Sequence, residues 1–163
     1  MKKEDIKKTI PYFPIVGMVA YLVVFIIAAS RYPGGSFNQP HGIGYSFFHN
    51  FLCDVMNPVT HGGKLNEART LAIISHLILS FTMISFFYIL PSIFPIKNSY
   101  SRLMRVFGMI TMTVFIFMYT EYHDLIVTAS GVLGTIALVP FFIELYKYPN
   151  NGLKQLAYTC YIL

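Results

Sequence analysis

The run IPYFPIVGMVAYLVVFIIAAS, from Ile10 to Ser30, carries no charged residue in twenty-one positions. As a helix rising about 1.5 Å per residue it spans the roughly 30 Å hydrocarbon core of a bilayer. A helix packed in water would need a polar outer face, and this one has none. Three later stretches, Leu71 to Leu90, Val106 to Tyr119 and Leu125 to Leu145, repeat the pattern with almost no charge. The whole chain of 163 residues is 55% apolar and 12% charged, with a mean hydropathy of +0.58. Soluble domains carry about a quarter charged residues. Length and composition therefore predict one all-α domain, a polytopic membrane helical bundle. Its transmembrane spans are expected at about 12–30, 67–90, 103–120 and 124–146, joined by turn signals such as Tyr32-Pro-Gly-Gly35 and Pro149-Asn-Asn-Gly152. Asn66 is placed to cap the second span, and Pro140 to bend the inner end of the fourth.

The formal net charge of +5 is distributed as in a membrane protein, and no nucleic-acid partner is implied. With the N-terminus inside, Lys2, Lys3, Lys7, Lys8, Lys97, Arg102, Arg105, Lys147 and Lys154 are cytoplasmic, and only Arg31, Lys64 and Arg69 lie outside. That is the positive-inside bias, and it predicts a multi-pass membrane protein with a cytoplasmic N-terminus. The basic start followed by a long apolar run reads as a retained first span, because no small-residue cleavage site follows it. Tyr12, Tyr32, Tyr119, Tyr122, Tyr146 and Tyr148 sit near span ends as an interfacial belt in a chain without Trp. Residues 153–163 are apolar but too short to cross, so they form an interfacial tail or the beginning of a fifth span. Cys53 and Cys160 fall on opposite sides and are not expected to bond.

The longest connection, 36–69, contains YSFFHNFLCD, Tyr45 to Asp54. At about 100° per residue, Ser46, His49, Asn50, Cys53, Asp54 and Asn57 fall in one arc of roughly 140°. Phe47, Phe48, Phe51, Leu52, Val55 and Met56 take the rest, which predicts an amphipathic helix over 46–57. Its aromatic side would enter the outer leaflet, and its polar stripe would face water or the bundle mouth.

The acidic and histidine residues gather toward the same side: His49, Asp54, His76, Glu121, His123 and Asp124 form a candidate polar cluster in the outer half. His76 lies well inside the second span, where a polar group faces a bundle interior, a partner or a cavity. Interhelical hydrogen bonding by His76, Ser75 and Ser80 is one reading. A metal site, with zinc held by His49, Asp54, His76 and His123, is another, and haem between His76 and His123 a third. Glu121 and Asp124, at the start of the fourth span, complement its helix dipole and are placed to pair with Arg69. No phosphate loop, nucleophile elbow or dinucleotide fingerprint is present.

The segments YSFFHNFLCDVMNP, NEARTLAIISH and HDLIVTASGVLG resemble a group of small bacterial six-span membrane proteins of unknown function, related in layout to the Frag/DRAM/Sfk superfamily. The resemblance implies a polar outer loop in which Asp54 matches the polar motif, and an outer histidine on the fourth span matched by His123. It also implies a lipid-associated or accessory role, with membrane lipids as partners. Ser46-x-x-His49 and Asp54 are similar to part of the zinc set of the CREST membrane hydrolases, although no HxxxH follows. That likeness implies a metal-dependent hydrolase acting on lipid. A third expectation is a small subunit of a larger membrane complex, or a homo-oligomer, because four spans and a stub leave helix faces for others to cover.

Overall fold

The computed structural model describes residues 12–94 and 98–162. Lys2, Lys3, Lys7, Lys8 and Lys97, five of the residues assigned to the cytoplasmic side, lie outside that range. Helix α1 is Phe13–Ser30 and α2 is Arg69–Ile89, continued by a 3-10 turn over Leu90–Ile93. Helix α3 is Ser99–Phe115, continued by a 3-10 turn over Ile116–Tyr119, and α4 is His123–Lys147. The apolar stub forms α5, Asn151–Ile162. Among the described residues no strand occurs, only an isolated antiparallel bridge between Val59 and Leu65.

Local chemistry sets the helix ends. Pro14 in the first turn of α1 lacks only an N–H that would be unpaired there anyway. The α1 helix stops at Arg31, whose N–H returns to Ala28, and Pro33-Gly34-Gly35 prevents its continuation. At the end of α2, Pro91 cannot donate to the preceding turn, and the chain tightens into its 3-10 segment. Asn98 caps α3 by accepting the Ser101 N–H at 3.0 Å, so this helix starts four residues before the predicted Leu103. Pro140 is accommodated inside α4. Asn66 acts one step earlier than a helix cap: its Oδ1 accepts the Ala68 N–H at 3.0 Å, and Ala68 precedes the helix proper.

The four long helices pack in series, α1 on α2, α2 on α3 and α3 on α4. Each is long and apolar enough to cross a membrane, with mean hydropathies of 2.4, 2.0, 1.4 and 2.1 in chain order. Their packing inverts the pattern of a water-soluble bundle. Ile15, Val16, Val19 and Ile26 of α1 are exposed, as are Leu125, Val132 and Val139 of α4. Ser75, His76, Ser80, Thr82, Thr111 and Ser130 are buried between helices. Polar atoms inside and apolar atoms outside are compatible with a membrane protein, in which the hydrocarbon solvates the outer face. Two apolar clusters hold the ends of the bundle. Ala28, Tyr32, Val55, Met56, Ala68 and Ala72 lie beneath the α1–α2 connection; Phe87, Leu90, Phe94, Met104 and Ala137 lie at the opposite end. Tyr32 therefore belongs to the packed core at 3% exposure, not to an interfacial belt.

Glycine sets two of the helix approaches. A Cβ on Gly17 would run into the Thr82 hydroxyl, and one on Gly108 into the Phe87 ring. The second contact joins α2 to α3 inside the cluster that also holds Met104. Gly108→Val should therefore cost about 1–3 kcal/mol through forced separation of α2 and α3. At Gly131 a Cβ would meet nothing within 4 Å, so Ala should be tolerated there or stabilise, since glycine inside a helix costs about 1 kcal/mol relative to Ala. Thermal unfolding of both variants in detergent checks the contrast; equal melting temperatures would remove the close-packing account.

Candidate functional site

The α1–α2 connection forms a cap over one end of the bundle, and it is not the single amphipathic helix predicted for 46–57. A turn covers 47–49, Phe51 is extended at φ −73° and ψ 152°, and a 3-10 helix runs over Leu52–Met56. Side chains break the helix by competing for its amides. Asn50 Oδ1 accepts the Ser46 N–H at 3.0 Å, and Asp54 Oδ2 accepts the Phe51 N–H at 3.0 Å. The two-faced sorting breaks with it: His49 and Asn57 are exposed while Asp54 is buried, and Phe47 and Phe48 are exposed while Val55 and Met56 are buried.

Asp54 is the hub of the cap, at 3% exposure. Its Oδ2 also accepts from Asn50 Nδ2 at 3.0 Å, and its Oδ1 lies 3.2 Å from His61 Nε2. Asn50 Nδ2 reaches the Gly35 carbonyl at 2.8 Å, which also receives the Tyr32 hydroxyl at 3.0 Å. Gly35 sits at φ +91°, and a Cβ there would press on the Gly62 amide at 2.7 Å, so the approach of 35 to 62 requires glycine. A second clamp ties the cap to α2. Asn66 Nδ2 donates to Val55 O and Asn57 O, each at 2.8 Å, and Arg69 Nε donates to the intervening Met56 O at 3.2 Å. Three successive carbonyls are thus satisfied from the start of α2.

The other candidate residues lie elsewhere. His76 Nε2 is 2.7 Å from the Phe115 carbonyl, so this nitrogen carries the proton and serves an acceptor at the end of α3. The predicted interhelical bond is found for His76. Ser75 instead bonds Ala72 in its own helix, and Ser80 Oγ has no partner among the described residues. His123 Nδ1 lies 3.1 Å from Asp124 Oδ1, with Asp124 in solvent. His49 is exposed in its turn, and Glu121 shares a recess with Arg69 without forming an ion pair among the described residues. The predicted set of His49, Asp54, His76 and His123 does not come together: among the described residues no three His, Cys, Asp or Glu side chains converge as metal ligands. Of the two His76 ring nitrogens, Nε2 is taken up by the Phe115 carbonyl.

Beneath the cap is a small, mainly apolar cavity of about 70 Å³, lined by residues that include Phe25, Cys53, Met56, Ser75, His76 and Phe115. Cys53 is unbonded, as is Cys160. Burial, and then the Asp54 carboxylate, push the Cys53 thiol up, so it stays protonated and weakly nucleophilic. The same two causes push Tyr32 up to about 12 and raise Tyr45. His61 is a partner of Asp54 that spacing along the chain does not reveal; the compact turn Thr60–Gly63, closed by Gly63 N–H to Thr60 O at 2.9 Å, returns it to the hub. Asn66 reads from the sequence only as a cap, and its larger role needs the fold of 55–57 beside it. No family model, no curated protein and no solved structure matches the chain.

The raised phenol and thiol values fix the sign of the pH response. The fold favours the neutral forms, and the Tyr32 contribution is complete below the ordinary Tyr value of 10.0 and is lost as pH rises through about 12. Thermal unfolding in detergent should fall over that window. Tyr32→Phe should melt lower at pH 8, for want of the bond to Gly35, yet show a shallower alkaline decline. Parallel declines in both proteins would exclude Tyr32 as the source.

Proposed function

We propose that this chain is a multi-pass, lipid-associated accessory protein of a bacterial inner membrane, with its N-terminus in the cytoplasm and the cap on the outer side. The observation that carries the reading is the division of labour within the cap. Its polar side chains are spent on its own backbone, through Asp54, Asn50 and Asn66. Its aromatic edge is left open: Phe47, Phe48 and Phe51 are 75%, 90% and 68% exposed, beside the ends of apolar helices. Aromatic side chains held at that level favour the headgroup and acyl boundary, and exposing them to water is costly. A thiol held neutral suits a structural cap better than a nucleophile.

Orientation is supported by charge. Arg102, Arg105, Lys147 and Lys154 gather at the end away from the cap, where the positive-inside rule expects the cytoplasm. In intact cells, a Lys64→Cys protein lacking its native cysteines should be labelled by an impermeant maleimide. Native Cys160, in a Cys53→Ser background, should be labelled only after permeabilisation. The reverse pattern would overturn the topology.

Because the chain contains no Trp, Phe48→Trp supplies a single reporter of the aromatic edge. In proteoliposomes its fluorescence should be blue-shifted and quenched by lipids brominated on the acyl chain. Emission at the wavelength of water-exposed indole, insensitive to bromine, would remove lipid contact from the account of the cap.

A further inference from the structure

At the end of the bundle away from the cap, a recess of about 530 Å³ opens between the end of α2 and the start of α3, lined by Pro91, Ser92, Asn98, Ser99, Arg102 and Arg105 among others. Arg105 is held in place before any ligand arrives: its Nε donates to the Tyr88 carbonyl at 3.1 Å, and its guanidinium lies 5.2 Å from the Tyr88 ring centroid. Those contacts leave its terminal N–H groups as a fixed fork, the geometry that suits two oxygens of one oxyanion. Arg102 is exposed and has no carboxylate partner among the described residues. The start of α3 adds its positive dipole end.

The local acid does not neutralise these cations. Glu144 is 6% exposed and already engaged by Asn98 Nδ2 at 2.9 Å and Lys147 Nζ at 3.8 Å. Lys154 lies over the Tyr146 ring at 5.8 Å, which adds positive charge around the same end. We infer that this recess binds a phosphate group through Arg105 and Arg102, as an anionic phospholipid headgroup or as free phosphate. The inference concerns the end opposite the cap and does not depend on the lipid role assigned to the cap.

The test uses the full chain in nanodiscs. In one arm the discs mix phosphatidylglycerol with phosphatidylcholine, and native mass spectrometry counts the lipids retained. In the other, inorganic phosphate is titrated calorimetrically into protein in phosphatidylcholine discs. Preferential retention of phosphatidylglycerol identifies the lipid source, and saturable phosphate binding the free anion. In either case the Arg102→Gln/Arg105→Gln double variant should bind about tenfold more weakly or worse. Arg105→Lys should give an intermediate loss, because it keeps charge without the fork. Arg31→Gln, at the cap end, should bind as the wild type does. Since Arg102 forms no ion pair among the described residues, Arg102→Gln alone should weaken binding while leaving the melting temperature intact. The inference is overturned if neither ligand binds better than phosphatidylcholine, if Arg102→Gln leaves binding unchanged, or if Arg31→Gln weakens it equally.

Discussion

A carboxylate at 3% exposure, at the mouth of an apolar bundle, is tolerable only if donors replace the water it has lost. Asp54 has them: the Phe51 amide and Asn50 Nδ2 on one oxygen, and His61 on the other. The rest of the cap is organised around meeting that requirement. The Phe51 amide is free to donate because the chain leaves helical geometry there. Asn50 is oriented by Ser46 and Gly35, and Gly35 must be glycine to let the 62 turn approach. Withdraw the carboxylate, and several donors are left without an acceptor, each at a cost of about 1–3 kcal/mol when buried.

The spanning helices meet the same constraint by a different route. Their hydroxyls mostly bond back to their own helix: Thr82 to Ile78 at 2.6 Å, and Thr111 to Phe107 at 2.7 Å. That chemistry lets small polar side chains line a close helix interface without needing water or a partner across it. His76 is the exception, since an imidazole cannot reach back along its helix in the same way and instead crosses to the α3 terminus. The bond sits where α3 tightens into its 3-10 segment. A side-chain donor at a helix end satisfies a carbonyl that the backbone leaves open.

The two ends of the bundle consequently differ in kind. At the cap, Asp54, Asn50 and Asn66 are engaged internally, and Phe47, Phe48 and Phe51 stay exposed beside polar residues such as His49 and Asn57. At the far end, three cations lie over tyrosine rings and the nearest acid is taken up by Asn98 and Lys147.

Most of the architecture is legible in the sequence because long apolar helices are determined by local composition. A run such as Ile10–Ser30 has one way to satisfy its backbone in hydrocarbon, and the observed α1, α2 and α4 begin and end within two or three residues of the predicted spans. The early start of α3 at Ser99 escapes a reading by charge, because Arg102 and Arg105 look like loop residues whereas Asn98 is the cap. Segment 46–57 departs from its predicted helix for a deeper reason. Its periodicity is genuine, but periodicity reports only which residues could share a face. Whether Asn50 and Asp54 bond to water, to a partner or to their own backbone depends on Gly35, His61 and Asn66 being brought alongside. The polar cluster dissolves for the same reason: His49, Asp54, His76 and His123 share a depth in the sequence, but depth does not fix angular position around the bundle. Sequence determined how many long apolar helices there are and what their surfaces like; the tertiary structure alone decided which polar groups meet, because hydrogen bonds need partners within about 3 Å and only packing sets distances that fine.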